Sequence, residues 1–420
     1  MERKIDSFLY KWKEEKNRKP LIIYGPRQVG KTFSVLALGN KKYKNTIYFN
    51  TNNNEELINL FKKEKAKDRI IAGLSKIKGE AILEDDSLII FDNLEDQDIA
   101  RGIKLFGTTP SNYHIIGITT RPKVKNIKGE ELQFKSMNEM DFEEYLIAHN
   151  EKELVNLIRN SFENRKTCRF HELALELFRK YLITGGLPEV VDGELRGYDE
   201  NRLDSIKQKI SDIYEKETLS NPNLIDITRS VEVLNSAPKQ LLKKNKKFQY
   251  GSIKKGTRKK EYEKAINKLV DNQLLYKSYK VKEIKSPLSS CKDKNSFKLY
   301  LPDDGLLYTS LHLTEKKLLT DENIKEAIYE NHIAKTLTEG GYSLYYYQSE
   351  GKAELSFVVQ NRKGEIIPIE LTVRKDSKAK ALSVFMSKFK TERGFRITEN
   401  NFSTKKNIRY IPIYSLFLFK

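Results

Sequence analysis

Cysteine is scarce: Cys168 and Cys291 are the only two. Two thiols cannot staple a disulfide-rich scaffold, and their spacing fits no metal-ligand pattern, so they read as inert free thiols. Long apolar runs are also missing. The longest, such as Leu88-Ile89-Ile90-Phe91, are strand-sized, well short of the roughly 18 residues a membrane helix needs. Met-Glu-Arg-Lys at the start leads into no apolar stretch of the secretory-signal kind. A cytoplasmic location with no membrane partner is expected. No internal repeat and no long flexible linker is visible.

Acidic residues are outnumbered. The chain has 58 Asp plus Glu against 77 Lys plus Arg, a net charge of +19, which suits an acidic partner such as nucleic acid. The excess is uneven. Lys239 to Tyr300 carries 19 basic and 5 acidic residues, most of the net charge in one short segment. A compositional bias of the whole chain would spread more evenly, so a basic face is expected there. Aromatics are plentiful, with 20 Phe and 22 Tyr, which argues against disorder because they supply much of the buried area. The 420 residues exceed what one hydrophobic core usually serves, so several domains are expected.

The N-terminal third alternates strands and helices. Pro20 introduces the apolar run Leu21-Ile22-Ile23-Tyr24, a buried strand by its bounding turn residues. Further strands are predicted at 46–50, 87–92 and 113–119, and helices at 2–16, 32–38 and 55–65. The alternation indicates a mostly parallel α/β sheet. From Asp141 the pattern turns helical, with Gly185-Gly186-Leu187-Pro188 as a sharp stop. Residues 226–315 read as short helices followed by two strands. The last hundred residues read as a helix at 324–337 leading to strands at 343–348, 353–359 and 366–373.

Between the first strand and the helix after it lies Gly25-Pro26-Arg27-Gln28-Val29-Gly30-Lys31-Thr32. It fits the phosphate-binding pattern G-x-x-x-x-G-K-[ST] at every fixed position. The glycines let the backbone curl its N–H groups around phosphate oxygens, and the helix beginning at Lys31 adds its positive end. Lys31 is then placed for the β- and γ-phosphates of ATP and Thr32 for Mg²⁺. Such a loop needs an acidic residue at the end of a neighbouring strand, and Asp92 after Leu88-Ile89-Ile90-Phe91 fits. The next residue is Asn93, which can orient a water but cannot take its proton, so slow hydrolysis is expected. Glu95 is a partial substitute. Thr119 and Thr120, ending the fourth strand, are placed to contact the γ-phosphate or the attacking water.

These motifs resemble the predicted prokaryotic AAA-type ATPases with a C-terminal domain of unknown function. The resemblance rests on GPRQVGKT, LIIFDNLED, DFEEYL and FRKYLITGGLPEVV. Further along it rests on KFQYGSIKKGTRKKEYEKAINKL, SFKLYLPDDGLL, YENHIAKTL, AELSFVV and IPIEL. It implies an α/β fold with an AAA+-type P-loop NTPase core over 1–140 and a helical lid over 141–220. A winged helix over 221–315 and a restriction-endonuclease-like PD-(D/E)xK α/β domain over 316–420 would follow. The family pattern has Asp-Glu where this chain has Asp92-Asn93. It has E-V-D-F and I-E-V-K where this chain has Glu354-Leu355-Ser356-Phe357 and Ile369-Glu370-Leu371-Thr372. Ser356 and Thr372 replace a metal-binding carboxylate and a lysine, so the nuclease-like domain is expected to be inactive. Glu330, Glu354, Glu370 and Arg374 remain as material for a rearranged site.

The basic segment falls on the implied winged helix. Lys246, Lys247, Arg258, Lys259 and Lys260 are the candidate contacts to double-stranded DNA, with a protein partner as the alternative use of the same face. Two functions stay open: an ATP-driven switch acting on DNA or a protein, and an ATP-regulated DNA-processing enzyme. Arg121 is a candidate for an arginine supplied in trans.

Overall fold

The computed structural model describes all residues except 109–110, 121–129, 220–223, 350–353, 374–379 and 420, and the side chains of 217–219 and 224. The chain forms two compact units, one of residues 1–138 with 271–273 and one of the remainder.

In the first unit the order is α1 (Lys4–Glu14), β1 (Leu21–Tyr24), α2 (Lys31–Lys42), β2 (Asn45–Asn50), α3 (Glu55–Lys63), α4 (Lys67–Lys78), β3 (Ser87–Asp92), α5 (Gln97–Leu105), β4 (His114–Thr119) and β5 (Gln133–Ser136). The strands form a parallel sheet in the order β2-β3-β4-β1-β5. Strand side chains alternate faces, which divides the apolar residues between two cores. Leu21, Ile23, Leu88, Ile90, Ile116 and Ile118 pack with Leu9, Trp12, Val35 and Leu38 of α1 and α2. Ile22, Ile89, Phe91 and Ile115 face the other way, onto Leu57, Phe61, Ile70, Leu74, Ile99 and Ile103 of α3, α4 and α5. The Asn54 side chain caps α3 and the Asp96 side chain caps α5. Sequence patterning anticipates β1 to β4. It does not anticipate β5, whose Gln133-Phe134-Lys135-Ser136 has no buried apolar run, or the helices α4 and α5.

The second unit begins with the helices α6 (Phe142–Ala148), α7 (Lys152–Asn164), α8 (His171–Thr184), α9 (Pro188–Leu195), α10 (Glu200–Leu219), α11 (Leu224–Leu241) and α12 (Lys259–Asp271). Next come β6 (Tyr276–Val281), β7 (Lys292–Tyr300), α13 (Asp304–Ser310), α14 (Glu315–Thr320) and α15 (Glu322–Glu339). The chain closes with β8 (Tyr345–Gln348), β9 (Glu354–Gln360), β10 (Ile366–Leu371), α16 (Lys380–Phe389), β11 (Gly394–Thr398), β12 (Ser403–Lys405) and β13 (Ile408–Pro412). These strands share one mixed sheet, β12-β13-β11-β10-β9-β8-β6-β7. Phe357 and Val359 of β9 face a core that includes Ile328 and Ile333 of α15, while Val358 faces Leu382 and Phe385 of α16.

The expected divisions at 220/221 and 315/316 do not separate compact units. The β6–β7 hairpin pairs in parallel with β8, so backbone hydrogen bonds run across the second boundary. Across the first, two glycine motifs interlock: Gly186 N–H donates to Asp303 Oδ2 at 2.7 Å, while Gly186 O accepts from Met140 N–H on its own side of the division. A Cβ on Gly185 would lie 2.3 Å from Asp303 Oδ1, and one on Gly186 would lie 2.1 Å from Met140 O. The GGLP and PDDGL segments therefore touch at a distance that only glycine allows.

Candidate nucleotide site

The loop from Gly25 to Gly30 joins β1 to α2. Gly25 has φ +153, and a Cβ there would fall 1.9 Å from Met137 O, so no other residue fits. Gly30 is left-handed, with φ 90, and turns the chain into α2. The Lys31 ammonium lies over the loop and donates to the carbonyls of Gly25 at 2.8 Å and Pro26 at 2.5 Å. Pro26, Arg27, Gln28 and Val29 make up the rest of the turn, with Val29 fully buried beneath it. Arg3, ahead of α1, donates to Val29 O at 2.9 Å and to Asn138 O at 2.8 Å, tying the loop to the chain beyond β5. Sequence reading misses Arg3 because no local pattern marks it.

Asp92 ends β3, and β4 lies between that strand and β1; the acid is not on the adjacent strand, as expected, but one strand further. It still reaches the loop. Thr32 Oγ1 donates to Asp92 Oδ2 at 2.8 Å, Tyr48 Oη donates to the same oxygen at 2.9 Å, and Asn93 N–H donates to Oδ1 at 2.8 Å. The carboxylate is thus held from three sides, with the Thr32 hydroxyl and one carboxylate oxygen together as hard oxygen donors suited to Mg²⁺. Asn93 has a left-handed backbone, with φ 57. Its side-chain amide donates to Asn50 Oδ1 at 3.2 Å, at the end of β2 and on the side of β3 away from β4. Glu95 is exposed. Thr119 ends the intervening strand opposite Tyr24 in register and is buried, as is Thr120, whose hydroxyl has no hydrogen-bond partner among the described residues. Arg121 lies outside the described residues.

The acidic residues of the C-terminal sheet are neutralised by cations of the same chain. Glu330 on α15 accepts from Lys246 at 2.6 Å, Lys298 at 2.8 Å and Tyr300 at 2.6 Å. Lys298 also donates to Glu354 at 2.5 Å. Burial raises the Glu330 pKa, but the two lysines outweigh it and hold the carboxyl at about 2. Glu370 sits beside Arg396, 3.2 Å away on the neighbouring strand, and burial pushes its carboxyl up despite that cation. Ser356 Oγ accepts from Leu371 N–H at 3.4 Å. Thr372 follows β10 and donates its N–H to Ile397 O. Arg374 is outside the described residues. Among the described residues no group of three or more His, Cys, Asp or Glu could hold a metal ion.

The basic candidates divide. Lys246 is 8% exposed and bound to Glu330 and Glu326, which removes it as a DNA contact: its cation balances a buried carboxylate. Arg258 and Lys260 are exposed, and Lys247 and Lys259 half-buried. Lys259, at the start of α12, donates to Asn295 Oδ1 at 2.9 Å. On the adjoining hairpin, Lys277 lies 4.2 Å from the Phe297 ring centroid. Burial there, with Lys259 and Lys292 nearby, lowers its pKa to about 8 against the pull of Glu263.

Residues 17–146 match the family model described as an AAA domain. Residues 175–317 and 325–416 match two domains of unknown function, DUF8612 and DUF4143. No curated protein matches the chain. Among solved structures, a signal transduction ATPase with numerous domains and a tetratricopeptide-repeat sensor, from Pyrococcus horikoshii, aligns at 14% identity and a TM-score of 0.31. It covers 81% of this chain, which in turn spans 45% of that one. No helix among the described residues is long and apolar enough to cross a membrane. The N-terminal third of the chain, which carries the Gly25–Thr32 loop, is thus similar to an AAA domain, and the remainder is similar to two domains of unknown function.

Proposed function

We propose that the protein is a magnesium- and ATP-binding switch that hydrolyses ATP slowly and uses its nucleotide state to act on DNA or a protein partner. The observation that carries this is the Thr32–Asp92 hydrogen bond beside the curled loop. It joins the two expected oxygen ligands of Mg²⁺ to a turn whose glycine tolerates no side chain. Gly25 to Thr32 would hold the phosphates, Lys31 exchanging its loop carbonyls for phosphate oxygens, and Thr32 and Asp92 would hold the metal shell. Bound Mg²⁺ would neutralise charge on the β- and γ-phosphates. Thr119 and Thr120, between the loop and Asp92, would orient the attacking water. Asn93 cannot serve as its base, which supports slow turnover.

The basic face supports DNA as the partner. In α11, α12 and the β6–β7 hairpin, the helices and strands follow the order of a winged helix, with Arg258, Lys259 and Lys260 at the start of the helix that such folds place in a groove. The C-terminal sheet is read as a nuclease-like fold without its chemistry. Lys298 and Lys246 occupy the charge of Glu330, Arg396 that of Glu370, and Ser356 supplies no carboxylate. Cleavage of plasmid DNA that disappears on Glu370→Ala would contradict this. The switch itself is tested by duplex-DNA affinity with Mg²⁺–ATP, with ADP and without nucleotide, using Lys31→Ala as the control. A severalfold difference that the variant lacks is expected; equal affinity in every state would contradict coupling to DNA.

A further inference from the structure

We infer that Tyr48 is a positioning residue of the magnesium site, holding the Asp92 carboxylate through the oxygen that Thr32 also touches. The inference rests on the reading that the loop binds Mg²⁺–ATP. Tyr48 and Ile90 are register partners on β2 and β3, and Asp92 follows two residues on, so all three side chains lie on one face of the sheet. The Tyr48 ring packs against the apolar cluster beneath α1 and α2 that contains Val35 and Leu38. That packing fixes the hydroxyl, which donates to Asp92 Oδ2 at 2.9 Å.

Two donors share Oδ2. A Thr32 hydroxyl that ligates Mg²⁺ through an oxygen lone pair keeps its proton for Asp92, but its position then answers to the metal as well as to the carboxylate. Tyr48 would answer to the carboxylate alone, so its hydrogen bond would orient Asp92 toward the metal shell from the protein side. Asn93 N–H fixes only the other oxygen. Without the phenol, Asp92 can rotate about its side-chain torsions at the moment the metal needs it aligned. A hydrogen bond to a charged group carries enough free energy for an effect of about tenfold.

The test separates the metal from the nucleotide. ATP affinity is measured by calorimetry with Mg²⁺ and with EDTA, for the wild type and for Tyr48→Phe, which keeps the ring and removes only the hydroxyl. The inference predicts metal-free affinity within about twofold of wild type and a magnesium-dependent gain reduced about tenfold. On an Asp92→Asn background the same substitution should have little further effect, since Tyr48 acts through Asp92. An unchanged magnesium gain, an equal loss with and without metal, or an undiminished effect on the Asp92→Asn background would overturn it. Failure of the wild type to bind ATP in either condition would overturn the nucleotide reading beneath it.

Discussion

The Gly186 backbone N–H and the buried Asp303 carboxylate meet at 2.7 Å, and the other carboxylate oxygen accepts Leu306 N–H at 2.9 Å. One side chain therefore joins the end of α8 to the start of α13. Asp303→Ala leaves two buried N–H groups without acceptors, and a loss of about 2–4 kcal/mol is expected. Asp303→Asn keeps one acceptor and should lose less. Urea unfolding followed by tyrosine fluorescence measures both; equal stability of all three proteins would show that the interlock contributes nothing.

Glu330 predicts the acid behaviour of the C-terminal unit. Its folded pKa, about 2, lies below the ordinary 4.5 because Lys246 and Lys298 outweigh the effect of burial. The folded state thus binds fewer protons than the unfolded one in that window. Its contribution is complete above pH 4.5 and is lost as the pH falls toward about 2. Glu330→Gln should be less stable at neutral pH, with two lysines left buried beside it, and should show a shallower loss over the same window. Denaturant midpoints at stepped pH test this.

Asn93→Glu should raise the ATPase rate, since general-base catalysis typically contributes about a hundredfold or more. The gain has a cost. Position 93 is left-handed, a conformation that Asn tolerates better than Glu, so a stability loss of about 1 kcal/mol is expected alongside. Steady-state phosphate release and a melting curve on the same preparation give both numbers. A wild-type turnover of about ten per second, near the enzyme median, would show that Asn93 is no handicap.

The basic residues should separate by burial. Replacing Lys247, Arg258, Lys259 and Lys260 with Gln should weaken duplex-DNA binding. It should also flatten the dependence of affinity on salt, by about 0.9 in logarithmic slope for each phosphate no longer neutralised. Lys246→Gln should leave the slope unchanged and lower stability instead, because its charge serves Glu330. Fluorescence anisotropy across a salt series distinguishes the two classes.

The geometry of the candidate nucleotide site is largely legible in the sequence because its determinants are local: a loop, a strand end and the helix between them are contiguous or follow from hydrophobic patterning. Tyr48 and Arg3 are not, since each acts across more than twenty residues through one hydroxyl or one guanidinium. Lys246 misleads for a related reason. Surrounded by Lys243, Lys244 and Lys247, it reads as surface charge, and only the fold brings Glu330 to it. The expected divisions within residues 141–420 do not coincide with separate compact units, because changes in pattern along a chain do not mark where its packing ends. The parallel β6–β8 pairing and the Gly186–Asp303 hydrogen bond join segments that look independent in the sequence. Strands β11 to β13 escape because they are short.

The central claim is that the Gly25–Thr32 loop binds ATP with magnesium. Calorimetric titration of Mg²⁺–ATP into the wild type and into Lys31→Ala tests it most directly. Saturable binding by the wild type is predicted, with none by a Lys31→Ala protein that stays folded, as a cooperative melting curve would show, although the carbonyls of Gly25 and Pro26 lose their donor. Absence of binding by the wild type at millimolar nucleotide, or undiminished binding by Lys31→Ala, would contradict the account.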